Sequence, residues 1–120
     1  MSLAAFLWLV WLHFLADFIL QSDRVSKSKS SNNAVLFYHV MLYSLPFVPF
    51  AAWHFLDRSY WVGFAFVYGN AAAHFVTDYI TSRMTTKLWK AGEVHWFFVV
   101  IGADQAIHLS TLALTFWWLA

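Results

Sequence analysis

The chain reads as an all-α membrane protein: a bundle of four transmembrane helices, built as two parallel-repeat hairpins, with a short interfacial amphipathic helix between them. Three observations predict this. Of 120 residues, 62% are hydrophobic and only 11% charged, where a soluble domain carries about a quarter charged. The apolar residues gather into four stretches, about 3–21, 34–56, 60–82 and 95–119. Each is near the ~20 residues that a helix needs to cross a hydrocarbon core of about 30 Å. Finally, His13-Phe14-Leu15-Ala16-Asp17-Phe18-Ile19 is echoed by His74-Phe75-Val76-Thr77-Asp78-Tyr79-Ile80, which relates the first stretch to the third.

The first stretch has no basic segment ahead of it and carries Asp17, so it reads as a retained span and not a signal peptide. The connection 22–33 is rich in Ser, Lys and Asn, and Asn32 and Asn33 are natural N-caps for the second stretch. Pro46 and Pro49 predict a kink in that stretch. The connection 57–59 is short enough to force an antiparallel hairpin. In the third stretch Ala65, Gly69 and Ala73 recur every four residues. Such a small-residue face permits close helix approach, within the bundle or between copies in a homo-oligomer. Arg83, Lys87 and Lys90, with Met84, Leu88 and Trp89 between them, predict a helix lying on the membrane surface and ended by Gly92.

Four crossings put the first and third connections on one side. That side holds Arg24, Lys27, Lys29, Arg83, Lys87 and Lys90, and the other only Arg58. The positive-inside rule then places both connections in the cytoplasm and both termini outside. The same six basic residues are candidates for holding a lipid headgroup, since each adds about 1 kcal/mol of attraction to an anionic leaflet. There is no cysteine, so disulfides, thiolate metal sites and thiol nucleophiles are excluded. A net charge of +1 without a basic face excludes nucleic acid as a partner.

The chemistry lies in the polar residues within the apolar stretches. His-x-x-x-Asp puts both side chains on one face of a helix. His13, Asp17 and Gln21 share a face of the first stretch, His39 and Tyr43 one of the second. Asn70, His74, Asp78 and Thr81 share a face of the third, and Asp104, His108, Thr111 and Thr115 one of the fourth. A mid-span aspartate costs about 2.5–3.5 kcal/mol, and one hydrogen bond returns only about 1. A bound cation compensates more fully. Imidazole and carboxylate suit zinc, iron or manganese. The candidate ligands are His13, Asp17, His39, His74, Asp78, Asp104 and His108. Gln21, Asn70 and Gln105 are candidates for hydrogen-bonding to the ligands. Seven donors exceed one tetrahedral site, so the pattern suits two ions, or one ion with a carboxylate–histidine shell around it.

The spaced pattern His13-x-x-x-Asp17-x-x-x-Gln21, the Ser/Lys-rich connection with Lys27 and Lys29, His39, His74-x-x-x-Asp78-Tyr79 and Asp104-Gln105-x-x-His108 resembles the family of small bacterial and phage membrane proteins filed as domain of unknown function 3307. The resemblance implies a bacterial or phage inner-membrane protein and supplies no activity. The pattern is also distantly similar to bacterial membrane-bound metal-dependent hydrolases. The leading expectation is a metal-dependent hydrolase of a lipid or lipid-linked ester or phosphoester, with Asp17, Asp78 and Asp104 in the catalytic centre and membrane lipids as its surroundings. A divalent-cation or proton transporter component and a scaffold with a structural polar seam are the alternatives.

Overall fold

A computed structural model describes residues 1–120. The chain is all-helical: α1 (Leu3–Phe14), a π-helical segment (Leu15–Ile19), α2 (Asp23–Ser28), α3 (Asn33–Ser44), α4 (Phe47–Phe55), α5 (Tyr60–Lys90) and α6 (Val94–Leu119). Its envelope is 50 × 28 × 20 Å. The capping residues are those that side-chain chemistry favours. Ser2 accepts from the Ala5 amide, Ser22 from Val25, Asn32 from Ala34 and Val35, and Ser59 from Trp61. Between α3 and α4 the axis bends by 43°, at Leu45 and Pro46, as the prolines predict.

The four-span bundle is corrected by this structure. One helix, α6, is long and apolar enough to cross a membrane. The pair α3 and α4 meets the same measure only if the bent pair counts as one span, and the apolar segment Leu3–Ile19 is shorter. Helix α5 has the length, with 31 residues, but its polar stripe and basic end dilute its apolar character. The assignment of both termini to the outside rested on four crossings and loses its basis with them.

Two further expectations change. The interfacial helix is not separate: residues 83–90 continue α5 without a break. Nothing in Thr81-Ser82-Arg83-Met84 interrupts a helix, and the chain turns only at Gly92, whose φ of +74° is the left-handed conformation that glycine adopts freely. The hairpins are also not copies of one another. The first half is broken into α1, a π segment, α2, α3 and α4, whereas the second is two long helices. The small-residue face makes no helix contact at Gly69, where a Cβ would meet open space.

The core has two layers. Away from the 22–33 connection, Phe47, Phe50, Phe55, Phe66, Leu112 and Phe116 form an aromatic cluster with Leu9 and Ala51. Their rings pack at centroid separations of 5.4–5.8 Å for Phe50–Phe66, Phe55–Phe66 and Phe55–Phe116. On the side of the 22–33 connection the interior is polar. His13, Asp17, His39, His74, Asp78 and His108 are all buried. Tyr43 joins the layers, touching Phe47 on one side and stacking its ring on His74 on the other, 3.7 Å between centroids at 13°.

Candidate metal centre

Four elements deliver side chains to one place. Asp17 comes from the π segment, His39 from α3, His74 and Asp78 from α5, and Asp104 and His108 from α6. In the π segment the hydrogen bonds run i→i+5, as from the Leu20 amide to the Leu15 carbonyl at 2.9 Å. The extra residue per turn changes the direction in which Asp17 leaves the helix; such insertions occur often at functional sites.

Asp17, His39, His74 and Asp78 each aim a ligand atom at a common point, all four within 4.8 Å of one another. His39 Nε2 lies 3.1 Å from Asp17 Oδ1, 3.3 Å from Asp78 Oδ2 and 3.1 Å from His74 Nε2. His74 Nε2 lies 3.5 Å from both Asp17 Oδ1 and Asp78 Oδ2. A tetrahedron of metal–ligand bonds about 2.0–2.1 Å long has edges of about 3.3–3.4 Å. The five distances bracket that edge.

Hydrogen bonds alone leave the group incomplete. A neutral imidazole has one N–H, yet His39 Nε2 faces two carboxylates and a second imidazole. His74 has a second crowded nitrogen, since its Nδ1 lies 3.2 Å from His108 Nδ1. Asp17 Oδ1 is buried without a hydrogen-bond partner. Two carboxylates this deep, with Asp17 at 4% and Asp78 at 1% exposure, call for compensation. The one ammonium present is Lys29, whose Nζ donates to Asp78 Oδ2 at 2.7 Å.

A second group adjoins the first and shares Asp17 with it: Asp17, Asp104 and His108. His108 Nε2 lies 3.0 Å from Asp78 Oδ1 and 3.3 Å from Asp104 Oδ1. Thr81 donates to Asp104 Oδ1 at 2.6 Å. The Gln105 amide spans the two remaining carboxylate oxygens, donating to Asp17 Oδ2 at 3.1 Å and Asp104 Oδ2 at 3.0 Å. Its own carbonyl lies 2.7 Å from His13 Nε2.

His13 therefore stands outside both groups. It sits 3.8 Å from Asp17 Oδ2 and reaches that carboxylate through Gln105. Gln105 hydrogen-bonds to the carboxylates of Asp17 and Asp104. Asn70 turns away from them to Phe66 O and Thr115 Oγ1. The sequence gives no sign of the stack of Tyr43 on His74 or of the specific contact from Lys29 to Asp78; both depend on which helix faces meet.

A cavity of about 660 Å³ opens onto the centre. Asp17, Asp78, Asp104 and Gln105 form part of its wall, together with Lys27, Lys29 and Lys90. Gln21 Oε1 and Ser82 Oγ on the same wall are buried without partners. Phe18, Trp89, Phe97, Phe98 and Ile101 supply an apolar side. Of the six basic candidates the other three lie elsewhere. Arg24 is exposed, Lys87 points to solvent at the end of α5, and Arg83 is held by Asn33 Oδ1 and its own helix, over the Tyr79 ring.

Fold and site together define a class: an all-α protein with a buried His/Asp cluster positioned to bind a metal ion. The chain belongs to the family described as "Protein of unknown function (DUF3307)", whose model matches residues 5–120. No curated protein and no solved structure matches it.

Proposed function

We propose that the protein is a metal-dependent hydrolase of a lipid or lipid-linked phosphoester, working at a membrane. The observation that carries the reading is the position of the four-donor group. It lies where the wall of a cavity meets the helix interior, and lysines, hydroxyl residues and apolar side chains line the rest of that cavity. A divalent ion held there would polarise a phosphoryl oxygen and lower the pKa of a bound water.

The chain's own residues take the remaining roles. Lys90 lines the cavity and places positive charge where a phosphate would enter, and Lys29 lines it while paired with Asp78 at 2.7 Å. Lys27 lines it too, but is paired with Asp23 at 2.7 Å. Asp104, half-buried and oriented by Thr81 and Gln105, is the cavity carboxylate that completes the centre on the side from which a water would attack. Ser82 Oγ and Gln21 Oε1 offer the ligand unused hydrogen-bonding capacity. Phe18, Phe97, Phe98 and Ile101 give an acyl or isoprenoid chain a wall to lie against.

Membrane association is supported by α6 and by the amount of exposed apolar surface. Trp53, Trp61, Leu3, Trp117 and Trp118 are all more than two-thirds exposed, and patches of this kind mark interaction surfaces. The test is phosphate release by detergent-purified, manganese- or zinc-loaded protein from vesicles containing phosphatidic acid. A panel of phosphate monoesters with and without an acyl chain accompanies it. Activity with the acylated esters that falls at least about a hundredfold in Asp104→Asn supports the reading. No hydrolysis of any ester by metal-loaded protein contradicts it.

A further inference from the structure

The two ligand groups are not independent, because Asp17 belongs to both. The first is closed by His39, His74 and Asp78, and the second by Asp104 and His108. A single carboxylate common to two groups of donors is the arrangement that bridges a pair of ions in two-metal hydrolases. Charge then decides whether both places fill. Three carboxylates, Asp17, Asp78 and Asp104, face one ammonium, Lys29. With the histidines neutral, as metal ligands are, the centre carries −3 + 1 = −2.

One divalent ion brings that sum to zero. A second raises it to +2 in a largely buried site, which is unfavourable unless an anion enters as well. The anion has a place to go. The cavity reaches Asp17 and Asp104 directly, and Ser82, 8% exposed with its Oγ unpartnered, lies on the same wall. A phosphate monoester dianion cancels the surplus charge.

We infer that Asp17 is shared between two cation sites, and that the second, formed by Asp17, Asp104 and His108, fills only together with a phosphoryl dianion. The inference rests on the metal-hydrolase reading and deepens it. It assigns the substrate class as phosphate monoesters, which are dianions, in preference to diesters, which carry one charge. It also makes binding of the second ion and of substrate reciprocal, as linkage requires.

The test is manganese binding to the full chain in detergent, followed by calorimetry and by electron paramagnetic resonance, with and without inorganic phosphate. Wild type is expected to take one ion without phosphate and two with it, the second binding at least about tenfold more tightly when phosphate is present. The two-ion form gives the spectrum of a spin-coupled pair. Asp104→Asn and, as a second variant that keeps the side-chain volume, His108→Gln bind one ion whether or not phosphate is present. Two ions bound equally well without phosphate overturn the inference, as does an Asp104→Asn protein that still binds two. One ion under all conditions overturns it while leaving a mononuclear hydrolase standing. No ion at all removes the metal-hydrolase reading beneath it.

Discussion

His13 and Asp17 straddle a change of helix type, whereas His74 and Asp78 sit on one unbroken helix. The two stretches share their spacing and nearly their sequence, yet they do different work. In the second, both side chains enter the same ligand group, 3.5 Å apart. In the first, Asp17 enters both groups while His13 is turned to Gln105. The π segment accounts for the difference. With one extra residue in the turn, Asp17 stays 3.8 Å from His13 but also meets partners on three other helices. Equal spacing therefore does not give the two pairs equal partners.

The aspartates differ in their partners too. Asp78 holds Lys29 at 2.7 Å and faces His39 and His108. Asp17 has no ammonium; its Oδ1 faces His39 at 3.1 Å and its Oδ2 accepts from Gln105. In metal-free protein Asp78→Asn is expected to destabilise by about 3 kcal/mol or more, the cost of breaking a buried pair. Asp17→Asn should cost less, about 1 kcal/mol, because its partners are imidazoles and the Gln105 amide and not an ammonium. Thermal or denaturant unfolding in detergent reads the two values. Equal destabilisation by both would erase the asymmetry.

The histidines should separate by metal affinity. His74→Ala removes a donor of the first group and is expected to weaken binding more than a hundredfold. His13→Ala loosens Gln105, and through it Asp17, and should cost about 10–100-fold, as outer hydrogen-bonding partners do. A competition titration with a chelating dye gives both numbers. A larger loss for His13→Ala would make it a ligand instead of a support for Asp17.

The smallest effect concerns the support that holds His74 in place. Tyr43→Phe keeps the ring stacked on the imidazole and should leave metal affinity within about threefold. Tyr43→Leu loses the stack, worth about 0.5–1.5 kcal/mol, and should lower both stability and affinity by that measure. Identical behaviour of the two variants would remove the stack from the account.

Legibility in the sequence depended on the range of each signal. The polar faces, the Asn32 cap and the bend near Pro46 are local and were readable from side-chain type and spacing. The convergence of Asp17, His39, His74, Asp78, Asp104 and His108 was readable because buried ionisable groups have few inexpensive arrangements. The π segment was not, since Leu15-Ala16-Asp17-Phe18-Ile19 contains no glycine or proline to mark it. Continuation of α5 through residues 83–90 was hidden because an amphipathic run looks the same on a separate helix as at the end of a long one. Helix α2 had signals in Ser22 as a cap and the Asp23–Lys27 pair at i, i+4, inside a connection otherwise read as linker. The span count failed for a related reason. Four apolar stretches were counted as four spans, whereas α1 is short, α3 and α4 are bent apart, and the polar stripe of α5 lowers its apolar content, which leaves α6.

The central claim is that the buried cluster holds a divalent ion through Asp17 and Asp78. Elemental analysis of detergent-purified protein, prepared without chelator and compared with Asp17→Ala/Asp78→Ala, tests it most directly. The account predicts at least about one equivalent of a transition metal in the wild type and none in the double variant. Metal-free wild type that cannot be reconstituted, or a double variant that retains its metal in full, would contradict it.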